Sequence, residues 1–194
     1  MSQSIENIYQ SALLADAAYV TFNAENFLAG TEISPAAWDG GPDRKAGDFT
    51  FRDAGFTFEQ FREFTQSYEV LRHQPDTGTG FSATFFRLKD SGEFFVAFRG
   101  TNDLPDYLMD TAIAAGLAYL LQDTLQNGAL QSFLETAGVI DSAGRAIPDF
   151  KGKLTLTGHS LGGYLAMFAA QNYADLVKRV DTFDSAALLY NSPI

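Results

Sequence analysis

Cysteine is absent from this 194-residue chain. That excludes disulfides, thiolate metal sites and a cysteine nucleophile together. It leaves the compartment open, because a secreted protein can also do without cysteine. Basic residues are few: 13 Lys and Arg stand against 24 Asp and Glu, for a net charge of −11 and a pI near 4.4. This balance argues against nucleic acid as a partner and against an anionic membrane held by a basic face. No apolar run reaches the ~18 residues that a membrane span needs. The longest, Ala112 to Leu121, reads as a core helix or a lipid-facing lid. The start, Met1-Ser2-Gln3-Ser4-Ile5-Glu6-Asn7, lacks the basic and apolar blocks of a secretory signal. Localisation therefore stays open between the cytoplasm and export by another signal.

What is present is a globular composition. Hydrophobic residues make up 46% and phenylalanine alone occurs 18 times, enough for one domain, 1–194, with a real core. There is no internal repeat and no linker.

Gly158-His159-Ser160-Leu161-Gly162-Gly163 contains G-x-S-x-G, the signature of a nucleophile elbow. An elbow seats a serine on a sharp turn between strand and helix. Lys153 to Thr157 alternates like a strand, and Tyr164 to Ala170 reads as a buried helix. The pair Gly162-Gly163 lets that helix begin close to the strand. Ser160 is thus the candidate nucleophile, against a plain strand–turn–helix glycine cluster.

Histidine occurs only twice, as His73 and His159. A serine hydrolase needs a histidine base and a carboxylate to orient it, in the order Ser, Asp or Glu, His for this kind of fold. His159 lies inside the motif, where the turn points it away from the hydroxyl. His73 precedes the serine and reads as a surface or strand-end residue. No histidine follows Ser160. The expectations are a fragment, a permuted fold or an inactive site.

The rest of the chain reads as follows. Glu6 to Tyr19 is an amphipathic helix. Asn23 to Asp53 is a long loop anchored by Trp38. Thr57 to Gln66 is a helix, and Tyr68 to His73 and Ala83 to Lys89 are strands. A hairpin turn at Asp90-Ser91-Gly92 leads to a strand over Glu93 to Arg99. Helices are expected over Pro105 to Leu121 and Leu125 to Ala137, a turn-rich connection over Asp141 to Phe150, and a last strand over Arg179 to Phe183. This order indicates an α/β fold with a mostly parallel sheet flanked by helices on both faces. The last strand would leave a bare C-terminal edge, open to more chain, a partner or self-association.

Phe95 to Thr101 is a strand ending in R-G-T. Acyl transfer needs two donors aimed at the oxyanion. Leu161 N–H supplies one in an elbow, and Thr101 after the earlier strand is placed to supply the other. With F-R-G-T upstream and G-H-S-L-G-G downstream, the chain resembles the class 3 lipases, a branch of the α/β-hydrolases. Leu13 to Tyr19 is similar to that family's opening helix. Asp106-Tyr107-Leu108-Met109-Asp110 is similar to its D-W-x-x-D stretch, with Tyr107 in place of tryptophan. Val180 to Ala186 is similar to its T-F strand end.

The resemblance implies hydrolysis of carboxylic esters such as acylglycerols or phospholipids. It carries Ser160 over as nucleophile and Thr101 and Leu161 as oxyanion donors. It carries over no triad acid or base: these would lie beyond Ile194, and Asp184 is not promoted to that role. It implies no cofactor, with calcium an option only for a longer protein. The alternative is a noncatalytic lipid-binding module that has lost its triad; a third reading completes the enzyme from two chains. Arg99 reads as a structural pair with Asp103 or Asp110, or else as a substrate-anion contact. Asp103, Asp106 and Asp110 read as acids at a helix start rather than as metal ligands.

Overall fold

The computed structural model describes residues 2–23, 32–41, 44–45, 48–77, 80–100 and 128–185. Among these residues lie four α-helices and five strands: α1 (Ser2–Ala17), α2 (Phe58–Ser67), β1 (Tyr68–Gln74), β2 (Ala83–Leu88), β3 (Phe94–Phe98), α3 (Ala129–Thr136), β4 (Leu154–His159), α4 (Leu161–Asn172) and β5 (Val177–Phe183). The helix expected over Pro105 to Leu121 lies outside the described residues, as do residues 125–127 of the next one. Within the described part, that second helix starts at Ala129, behind a left-handed Gly128.

Local chemistry explains several boundaries. Thr57 and Gln60 form a reciprocal capping box that starts α2. Gly92 takes φ +70° in the β2–β3 hairpin turn, where Leu88 N–H donates to Glu93 O at 2.8 Å. The turn-rich connection before β4 closes on itself through an isolated bridge between Ile140 and Ala146.

The strands lie in the order β1-β2-β3-β4-β5. The sheet is mixed. β1, β2 and β3 are antiparallel neighbours, while β3, β4 and β5 run parallel. The parallel expectation thus holds from β3 onward. The antiparallel half follows from short connections, since a tight hairpin can only join antiparallel strands.

Two cores sandwich the sheet. Period-two alternation sends Val96 and Phe98 of β3 to one face and Phe95 and Ala97 to the other. The first face packs against α3 and α4 through Phe133, Leu134, Leu165 and Ala166. The second meets α1 and α2 through Leu14, Ala17, Phe61 and Phe64. Over β4 and β5 that second face turns polar. Thr157 donates through its hydroxyl to Ser11 O at 2.9 Å, and Ser11 donates to Asp181 Oδ2 at 2.6 Å. Arg179 donates from Nε to the same carboxylate at 2.6 Å. None of the residues of β5 is fully buried. No helix among the described residues is long and apolar enough to cross a membrane.

Candidate active site

β4 delivers the chain to His159 and α4 takes over at Leu161, so Ser160 alone makes the turn. Its backbone sits at φ 55° and ψ −123°, a region that costs a non-glycine residue roughly 1–3 kcal/mol. The surroundings hold it there. Ser160 N–H donates to Phe183 O at the end of β5 at 2.9 Å, and Ser160 O accepts from Gly163 N–H at 3.0 Å. A Cβ on Gly162 would lie 2.1 Å from Phe98 O, and one on Gly158 would lie 2.3 Å from Gly162 C. The glycines therefore let the end of β3, the end of β4 and the first turn of α4 meet backbone to backbone.

Leu161 is the first residue of α4, and the first N–H groups of a helix have no partner within it. They present the positive end of the helix dipole beside Ser160. That is the arrangement an oxyanion donor needs. Thr101, expected as the second donor, lies outside the described residues. Gly100, just before it, is described and lies against the elbow: a Cβ there would sit 2.8 Å from His159 O and 2.4 Å from Tyr19 Oη.

The structure brings neither histidine to Ser160 as a base through its Nδ1. His159 sets Nδ1 3.4 Å from Tyr19 Oη. His73 sits at the end of β1, where its Nδ1 is 2.9 Å from Thr84 Oγ1 and its ring meets Phe22 edge-on at 5.3 Å. Two strands separate β1 from β4, which at strand spacing is about 14 Å of sheet. Burial, helped by the nearby Arg99 and Arg72 cations, pushes His73 down to about 4.

Arg99 takes a different partner from those expected. It pairs with Asp76, while Asp103 and Asp110 lie outside the described residues. The β2–β3 hairpin brings the segment after β1 alongside the end of β3, a proximity that sequence spacing does not carry. Asp106 and Tyr107 also lie outside the described residues. Asp184, one residue past β5, has φ 46° and is the other non-glycine residue with positive φ among those described.

Sequence reasoning missed two residues next to the elbow, Asp16 and Tyr19. The Tyr19 hydroxyl packs against Gly100, and burial raises its pKa. Asp16 keeps a solvent-exposed surface, yet crowding around its carboxyl raises its pKa while His159 opposes the shift. Their only signal was their place in the Leu13 to Tyr19 stretch. A cleft lined by Arg145, Lys151, Asn172 and Tyr173 lies instead at the far end of α4, about 17 Å along the helix from the elbow.

Residues 95–186, from β3 through the elbow to just past β5, match the family of class 3 lipases. Over these residues the chain is similar to the class 3 lipase family. Solved lipase structures share the fold. The nonglycosylated LIP2 lipase of Yarrowia lipolytica is 18% identical over 89% of this chain and 55% of its own, with a TM-score of 0.50. A second structure of the Yarrowia lipolytica Lip2 lipase is 17% identical over 95% of this chain and 59% of its own, with a TM-score of 0.51. The lipase of Rhizopus microsporus var. chinensis gives 16%, 95%, 57% and 0.48 for the same quantities. The two Yarrowia lipolytica structures show the α/β-hydrolase fold for this chain, which spans little more than half of their length. No curated protein matches it by sequence.

Proposed function

We propose that this chain carries the nucleophile half of a serine carboxylester hydrolase acting on acylglycerol, phospholipid or other esters. The carrying observation is Ser160, held at φ 55° on a strand–helix turn with the start of α4 beside it. Ser160 Oγ would attack the acyl carbonyl and lose its proton to a base. Leu161 N–H and a donor after β3, assigned to Thr101, would hold the oxyanion. The collapsing intermediate would expel the alcohol and leave an acyl-enzyme on Ser160. Water would then release the acid by the same path in reverse.

The base and its carboxylate are assigned to residues other than 1–194. Both histidines of this chain set Nδ1 on other partners, Tyr19 and Thr84. That same observation supports the second reading, a lipid-binding module with a hydrolase-like fold and no triad.

Fluorophosphonate labelling separates the two. It is run with Ser160→Ala as control, on this chain and on the chain together with any residues that follow it in its reading frame. p-Nitrophenyl butyrate turnover is followed in parallel. The hydrolase reading expects labelling and turnover that vanish in Ser160→Ala, and that rise by roughly 10³-fold or more once a base is present. A folded protein that takes no label in either form overturns it and leaves the binding module.

A further inference from the structure

Three separate pieces of chain converge on one phenol oxygen. The hydroxyl of Tyr19, just past α1, lies against Gly100 at the end of β3. The same oxygen lies 3.4 Å from Nδ1 of His159, the residue before the nucleophile. The junction has no slack. A methyl on Gly100 would come within 2.4 Å of the Tyr19 oxygen and 2.8 Å of His159 O. The ring is steadied by Phe49, whose centroid lies 6.3 Å away, and by the turn after α1, where Tyr19 N–H donates to Asp16 O at 3.1 Å.

The structure assigns Tyr19 as a positioning residue that pins the end of β3 at Gly100 to the elbow at His159, so fixing the two sides of the oxyanion site relative to Ser160. This rests on the reading of Ser160 as nucleophile. The geometry gives the reason for such a pin. The β3 end and the elbow share a sheet, but their turns beyond the last ladder bonds have no hydrogen bond to each other among those described. Oxyanion donors must be held to within a few tenths of an ångström to act. A side chain from a third element, in contact with both turns, supplies that constraint. His159 gains a role as well: its ring is one leg of the pin.

The test compares wild type with Tyr19→Phe, which keeps the packed ring and removes one oxygen. Three quantities are read on the whole 194-residue chain: Gly100 amide hydrogen exchange, the imidazole 15N resonances of His159, and the fluorophosphonate labelling rate of Ser160. Thermal melting is recorded beside them. The expected result is at least tenfold faster exchange at Gly100, a displaced His159 Nδ1 resonance and about tenfold slower labelling, at a melting temperature close to wild type. Gly100→Ala attacks the same junction from the other side. It should displace the same resonance and slow labelling even where Tyr19→Phe folds poorly. Unchanged Gly100 exchange with an unmoved His159 resonance overturns the pin, whether or not Ser160 takes the label. An altered junction with no labelling even in wild type would still support the pin, the silent label following from the base assigned outside residues 1–194.

Discussion

The half of the sheet from β1 to β3 and the half from β3 to β5 are filled by different means. Over β1 to β3, rings do the work. Phe51 lies 4.9–5.1 Å from Phe56, Phe61 and Phe64, and Phe64 in turn meets Tyr68 and Phe86 at 4.8 and 5.8 Å. Such tilted and edge-on contacts add to the area that the rings bury. Over β4 and β5 the contact is made by backbone and by hydrogen bonds. Gly158, Gly162 and Gly163 bring main chains together at the elbow. On the α1 side, Thr157, Ser11, Asp181 and Arg179 form a polar seam. Large rings fill space without dictating a backbone to tenths of an ångström. Backbone contacts do dictate it, and the elbow lies where they are concentrated.

That contrast can be broken at several points. Gly162→Ala should have the largest effect. Its Cβ would meet Phe98 O at 2.1 Å, and neither partner is a flexible side chain. The expected outcome is a chain that no longer melts cooperatively, read by calorimetry; a native-like transition would show that the elbow tolerates repacking. Phe64→Ala strips a buried ring from the aromatic half and should cost about 3–5 kcal/mol in urea unfolding. It should leave Ser160 labelling per folded molecule unchanged, and a loss of labelling would deny the independence of the two halves.

His73 gives the aromatic half a pH signature. Its folded pKa of about 4 lies below the ordinary histidine value of 6.5. Unfolding therefore takes up a proton between those values, and stability falls as pH drops from about 6.5 towards 4. The loss is at most about 3 kcal/mol. Melting temperatures across that window should flatten in His73→Gln. The smallest effect is expected from Thr157→Val, which removes the hydroxyl bonded to Ser11 O. It should cost about 1–2 kcal/mol of stability. A neutral result would mean that the seam adds specificity rather than stability.

The strands β1 to β5, the hairpin turn, the helix α2, and the elbow from Lys153 to Ala170 were all legible, because each rests on a local pattern of periodicity or turn chemistry. The antiparallel half of the sheet was not legible as such, although the hairpin between β2 and β3 implied part of it. Arg99 was read as a paired side chain, but its partner Asp76 is 23 residues away and reaches it only across the hairpin. Tyr19 and Asp16 carried no chemical pattern of their own. They acquire one only where α1 crosses the ends of β3 and β4.

The sequence by itself determined the serine and the glycines around it, because a strand–turn–helix elbow is written in adjacent residues. It also determined that only two histidines are available among these 194 residues. The tertiary structure decided what those histidines do and what holds the elbow in register with β3. Those relations join residues 59 to 140 positions apart, such as Gly100 with His159 and Tyr19 with His159. Residues so distant in the chain become neighbours only when the sheet has closed and α1 has packed across it.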